Sequence, residues 1–137
     1  MNHIIYNKGY KYQLKQTYTD VIEIKPNADI VTDYIKLDAA GNISIIKGYA
    51  WDGPSGPTID TKDFMRGSLV HDALYQLMRE KYLDHEVYRK TADDILRRIC
   101  IEDGMCKIRA WYVYKAVRLF ADPAADPANE RPPVTAP

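Results

Sequence analysis

The sequence predicts an α+β fold in which N-terminal antiparallel β-strands, including a hairpin, are followed by three α-helices. Three observations predict it. Up to about residue 50 the apolar residues are β-branched or aromatic and partly alternate, whereas from residue 64 they recur with the helical period. All strand-like segments precede all helix-like ones, which points away from a doubly wound sheet. Finally, a chain of 137 residues is long enough for one domain and too short for two ordinary ones, and we assign residues 1–121 to it.

Tyr10 to Lys15, Val21 to Lys25 and Ile30 to Leu37 read as strands. Ala39-Ala40-Gly41-Asn42 is a turn signal that should pair Ile30–Leu37 with Ile43–Ile46 as a hairpin. Trp51-Asp52-Gly53-Pro54-Ser55-Gly56-Pro57 then packs two glycines and two prolines into seven residues, a density that no regular element survives. Beyond it, Phe64, Leu69, Leu74, Leu77 and Met78 predict a helix over Phe64–Tyr82, with Thr61, Lys62 and Asp63 at its start. A second helix should run from Glu86 to Ile101 and stop near Gly104. A third, Lys107–Phe120, should turn Ile108, Trp111, Tyr112, Ala116, Leu119 and Phe120 toward a core. Residues 122–137, with Ala-Asp-Pro repeats and five prolines, read as a flexible tail.

Lysine plus arginine number 19 and aspartate plus glutamate 19, so the formal charge is zero, which argues against a globally basic nucleic-acid binder. No apolar run approaches the roughly 18 residues needed to span a bilayer, and the first residues, MNHIIYNKGYKYQ, lack the apolar stretch of a signal peptide. Cys100 and Cys106 make no disulfide framework and read as free thiols of a reducing compartment. The aromatic mix is unusual, with 11 tyrosines against two phenylalanines and two tryptophans. Amphipathic rings in that excess suit half-buried sheet faces and wet interfaces.

Three features carry potential chemistry: the Gly/Pro loop, His71-Asp72 with Tyr75 on the first helix, and Asp93-Asp94 on the second. Residues four apart share a helix face, so His71 and Tyr75 point the same way while Asp72 faces a different partner. If the second helix packs antiparallel to the first, Asp93 approaches both. A carboxylate that holds a histidine fixes its tautomer and stabilises the imidazolium, which suits general-base chemistry. Loop carbonyls beside an aspartate suit a hard cation such as calcium. The same residues also read as structure: a packed His-Asp pair, a core tyrosine, and Asp93 and Asp94 beside Arg97 and Arg98 as charge pairs on a wet face.

Gly48 to Pro57, His71-Asp72-Ala73-Leu74-Tyr75, Ala92-Asp93 and Ala116-Val117-Arg118-Leu119-Phe120 occur in the order seen in a family of small phage and prophage proteins of unknown function, which this chain resembles over about residues 30 to 121. That resemblance implies a phage or prophage origin, and hence the host cytoplasm or the virion as location. More distantly, the His71-Asp72-x-x-Tyr75 helix, with Asp93 22 residues after His71, resembles calcium-dependent phospholipases of the A-two class, especially the form in parvovirus capsid proteins. The second resemblance implies that His71 activates a water, Asp93 orients His71 and Tyr75 hydrogen-bonds Asp93. It further implies that Asp72 and the carbonyls of Trp51, Gly53 and Ser55 hold calcium, which polarises an ester carbonyl. Trp51 and Gly56 depart from the tyrosine and asparagine of the viral loop, and the strand-rich start has no counterpart there.

Two functions follow. One is calcium-assisted lipid ester hydrolysis during entry or lysis, by a His71–Asp93 dyad. The other is a non-catalytic virion or assembly protein in which His71, Asp72, Tyr75 and Asp93 form a buried structural network. The third helix, with Lys107, Arg109, Lys115 and Arg118 among Trp111, Tyr112 and Tyr114, suits an anionic membrane or phage structural proteins, or is a solvated face over a packed aromatic stripe. A His-Asp phosphohydrolase or a zinc peptidase would need further histidines, and His3 and His85 fall in no such motif.

Overall fold

The computed structural model describes residues 4–7, 12–51 and 62–120. Strands β1 (Tyr6–Asn7), β2 (Tyr12–Leu14), β3 (Tyr18–Val21), β4 (Ile30–Val31), β5 (Ile35–Leu37), β6 (Asn42–Ile45) and β7 (Ala50–Trp51) precede helices α1 (Lys62–Arg79), α2 (His85–Glu102) and α3 (Lys107–Phe120). The fold is α+β, as the order of periodicities predicts. Residues 52–61, which hold most of the loop expected from the sequence, and residues 121–137, which hold the expected flexible tail, lie outside the described residues.

The strands form two antiparallel sheets, β1-β2-β7 and β3-β6-β5-β4. The predicted hairpin is β5–β6, with Ile35 opposite Ile45 and Leu37 opposite Ile43, all four side chains fully buried. Its turn is held by the Asp38 carboxylate, which accepts from the amides of Ala40 and Asn42 and from the Asn42 side chain. Gly41 is needed there: its φ is 89°, and an added Cβ would stand 2.4 Å from the carbonyl oxygen of Ile22.

Two strand predictions are corrected. Ile30–Leu37 is two strands, because the chain reverses at Thr32, whose hydroxyl donates to the Ile35 carbonyl and accepts from the Ile35 amide, each at 2.9 Å. Ile30 thereby comes to lie opposite Leu37. The run Val21–Lys25 is also displaced: the strand is Tyr18–Val21, yet Ile22 and Ile24 beyond it still enter the core. Burial, which periodicity does report, was thus preserved where ladder pairing was not.

Helix α1 is buried on nearly every side. Leu69, Ala73, Leu74, Leu77 and Met78 join Ile24 and the strand residues Ile35, Leu37 and Ile45 in the main core. The helix ends at Arg79, short of the predicted Tyr82. Lys81 adopts a left-handed φ of 69°, and the Tyr82 amide folds back to the Leu77 carbonyl at 2.8 Å. Helix α2 starts on Asp84, whose carboxylate accepts the Glu86 amide. It stops in the same kind of turn, with Gly104 at φ 105° and Met105 bonded back to Cys100.

Gly67 faces Leu96 and Cys100, whose side chains would stand 2.9 and 3.0 Å from an added Cβ, so α1 and α2 approach closely. Near the same end, the buried Arg66 guanidinium bonds Tyr18, Asp20, Glu102 and Asp103 at 2.7–3.2 Å. It ties strand β3 to the end of α2. The start of α1 therefore meets the end of α2, and the two helices run antiparallel.

Helix α3 has the predicted span but the opposite orientation. Ala110 and Val113 are buried, in a second cluster with Phe64, Leu96, Cys100 and Met105, whereas Ile108, Trp111, Tyr112 and Leu119 are exposed; Ala116 is exposed as well. The rotation is fixed by polar contacts on the α2 side. Arg118 reaches Asp93 at 3.0 Å, and Arg89 donates to the last carbonyls of α3, those of Val117 and Arg118, at 3.0 and 2.7 Å. A half-turn of α3 would break all three bonds.

Candidate active site

The antiparallel α1–α2 pair brings His71, Tyr75 and Asp93 together. His71 Nε2 lies 2.7 Å from Asp93 Oδ1, and the Tyr75 hydroxyl donates to the same oxygen at 2.6 Å. The imidazole and phenol rings, one helical turn apart, are tilted against each other with centroids 4.1 Å apart. Asp93 is wholly buried, while Tyr75 and His71 are 2 % and 6 % exposed. Asp93 therefore does not belong to a wet face with Arg97 and Arg98. The surface charge pair on that stretch is Asp94 with Lys90, at 3.1 Å.

Arg118 completes the arrangement by donating to Asp93 Oδ2. It stood in the closing helix motif and on its basic face, but no spacing rule tied it to Asp93. Arg89 is the second addition, acting on the Tyr75 hydroxyl as well as on the end of α3. Burial alone would raise the Asp93 pKa, but the hydrogen bond and charge of His71, with the bonds from Tyr75 and Arg118, outweigh it and hold the carboxyl below its ordinary range. Burial, reinforced by the Asp93 charge, pushes the Tyr75 phenol up, so it stays a protonated donor.

An ionised carboxylate only accepts hydrogen bonds. The contact to Asp93 therefore requires the proton on His71 Nε2, and in the neutral ring Nδ1 is the basic nitrogen.

Of the residues given a calcium role, Trp51 and Asp72 are described, whereas Gly53 and Ser55 lie outside the described residues. The buried Trp51 indole donates to Ser68 Oγ at 3.1 Å and packs on Tyr12. Ser68 is three residues before His71 and four before Asp72, so the chain leaves β7 beside the turn of α1 that carries both. Asp72 is half-buried. Among the described residues no group of three or more His, Cys, Asp or Glu could hold a metal.

Fold and site together define an α+β protein in which α1, α2 and α3 bring together a His71–Tyr75–Asp93–Arg118 cluster. The chain belongs to the family described as protein of unknown function DUF1353, which matches residues 28–117 and so spans the hairpin, α1, α2 and most of α3. No curated protein and no solved structure matches it.

Proposed function

We propose that this protein is a phage-encoded, phospholipase-like esterase in which the His71–Asp93 dyad drives calcium-assisted hydrolysis of a lipid ester during entry or lysis, in the host cytoplasm or from the virion. One observation carries the reading: Asp93 engages His71 Nε2 and so orients the ring with Nδ1 as its base. A water whose proton passes to Nδ1 attacks the ester carbonyl carbon. The tetrahedral intermediate then breaks its bond to the alcohol oxygen, which takes the same proton from Nδ1, leaving a fatty acid and the free alcohol. Tyr75 and Arg118 hold Asp93 ionised, and the carboxylate in turn stabilises the imidazolium formed between the two transfers. Calcium held by Asp72 and the carbonyls of Trp51, Gly53 and Ser55 would supply polarisation of the ester carbonyl.

The test is release of fatty acid from mixed phospholipids with calcium present, comparing wild type with His71→Ala. Release that needs both calcium and His71 supports the reading. Its absence across lipid classes sinks it.

A second reading is favoured by one feature. Asp93 is fully buried and each of its oxygens is already satisfied by protein donors, which is also how a purely structural keystone looks. In that case the protein is a non-catalytic virion or assembly component, and His71→Ala lowers the melting temperature with no activity to lose.

A further inference from the structure

The large side chains of α3 lie on its outer side. Ile108, Trp111, Tyr112 and Leu119 are 72 %, 43 %, 63 % and 68 % exposed, and Lys115 stands among them, while the side facing α1 and α2 is lined by Ala110 and Val113. At 100° per residue these five side chains fall on one face, opposite the buried one. The helix carries four cations, Lys107, Arg109, Lys115 and Arg118, and no acidic residue. In a chain of zero net charge that is a local excess. Arg109 and Arg118 turn to Asp63 and Asp93. Lys115 instead lies over the Trp111 ring and Arg97 over the Tyr114 ring, at 5.7 and 5.8 Å, cations held by aromatic faces. Arg97, Lys107, Ile108, Trp111 and Tyr112 line an open hollow of about 340 Å³ between α2 and α3, so cationic and apolar side chains share it.

We propose that this outer face of α3 docks the protein on an anionic phospholipid surface, with Trp111, Tyr112, Ile108 and Leu119 entering the headgroup boundary and Arg97, Lys107 and Lys115 meeting lipid phosphates. Exposed aromatic and aliphatic side chains flanked by lysine and arginine are what an interfacial helix needs: apolar area to bury and positive charge to draw it to the anionic leaflet. The uniform sign of the charge selects an anionic surface over a neutral apolar partner. The inference rests on the lipid reading of the His71 site only for preferring lipid to protein.

The fold supplies its own probe. Trp51 is buried and Trp111 exposed, so a change in tryptophan emission on binding reports α3. The full chain is mixed with vesicles of phosphatidylcholine alone and of phosphatidylcholine with phosphatidylglycerol. We expect a blue shift and co-sedimentation with the anionic vesicles only, weakened by salt. Trp111→Ala, Lys107→Glu and Lys115→Glu should each lower partitioning roughly tenfold with unchanged melting temperature. No binding, equal binding to both vesicle types, or insensitivity to these variants overturns the inference. So does concentration-dependent self-association abolished by Trp111→Ala, or tighter binding to a single-stranded oligonucleotide than to the vesicles. Detergent-dispersed lipid separates the two ideas: hydrolysis there without vesicle binding overturns the docking face alone, and vesicle binding without hydrolysis overturns the esterase alone.

Discussion

Removing the Asp93 carboxylate tests the site most directly. In Asp93→Ala the Tyr75 hydroxyl and the His71 Nε2–H, both nearly inaccessible, lose their common acceptor. Each unsatisfied buried donor costs about 1–3 kcal/mol. Arg118 also loses a partner, but its side chain is 30 % exposed and can turn to water, so its share is small. The expected loss is about 3–5 kcal/mol, a large part of a typical stability of about 5–15 kcal/mol. Asp93→Asn keeps the shape and one carbonyl acceptor and should cost only about 1–2 kcal/mol. It nevertheless offers His71 an amide that can reverse the ring's tautomer, so hydrolysis should fall by a factor on the order of 10³ or more. Urea unfolding followed by Trp51 emission and far-UV dichroism gives the stabilities, and fatty-acid release gives the activity. Asp94→Ala, which removes only the exposed partner of Lys90, is the control and should leave the midpoint unchanged. An Asp93→Ala variant within about 1 kcal/mol of wild type would refute the hydrogen-bond reasoning.

Three further outcomes follow from the same structure. Gly41→Ala should destabilise by about 2 kcal/mol or more, since a strained φ adds to a clash with the Ile22 carbonyl; Gly104→Ala, with nothing within 4 Å, should cost only about 1 kcal/mol, and thermal melts of the pair separate strain from collision. Because Asp93 has a native pKa below its unfolded one, the unfolded chain binds the extra proton first as pH falls; stability should therefore be full above about pH 4, decline below it, and decline less steeply in Asp93→Asn when urea midpoints are compared. Cys106 is exposed, whereas burial and then the charges of Asp103 and Asp63 push the Cys100 thiol up to about 12, so mass spectrometry after native alkylation should find label on Cys106 alone, with Cys100 reacting only on unfolding.

The tyrosine excess took on several roles once placed. Tyr75 donates to Asp93, Tyr18 joins the Arg66 network, Tyr49 reaches Gln76 of α1, and Tyr112 stands exposed on α3. A ring with a hydroxyl at its tip serves wherever an apolar surface ends in a polar partner, which the sheet–helix seam and the outer helix both provide.

Sequence by itself determined what local rules can encode: the order of strands and helices, the spans of α2 and α3 to within a residue or so, the β5–β6 turn at Gly41, and the shared face of His71 and Tyr75. Each depends on spacing or on the φ a residue tolerates, and both are properties of neighbours along the chain. Only the tertiary structure decided that Ile30–Leu37 folds back on itself, that Asp93 is buried rather than wet, that Arg118 and Arg89 reach the site, and which way α3 faces. Periodicity shows that α3 has an apolar stripe but not what the stripe meets. Its rotation is set by Arg118 on Asp93, Arg89 on the last carbonyls, and a close approach that admits Ala110 and Val113. Those contacts join residues about 25 positions or more apart, and they turned the stripe that reads as core into the exposed face of the molecule.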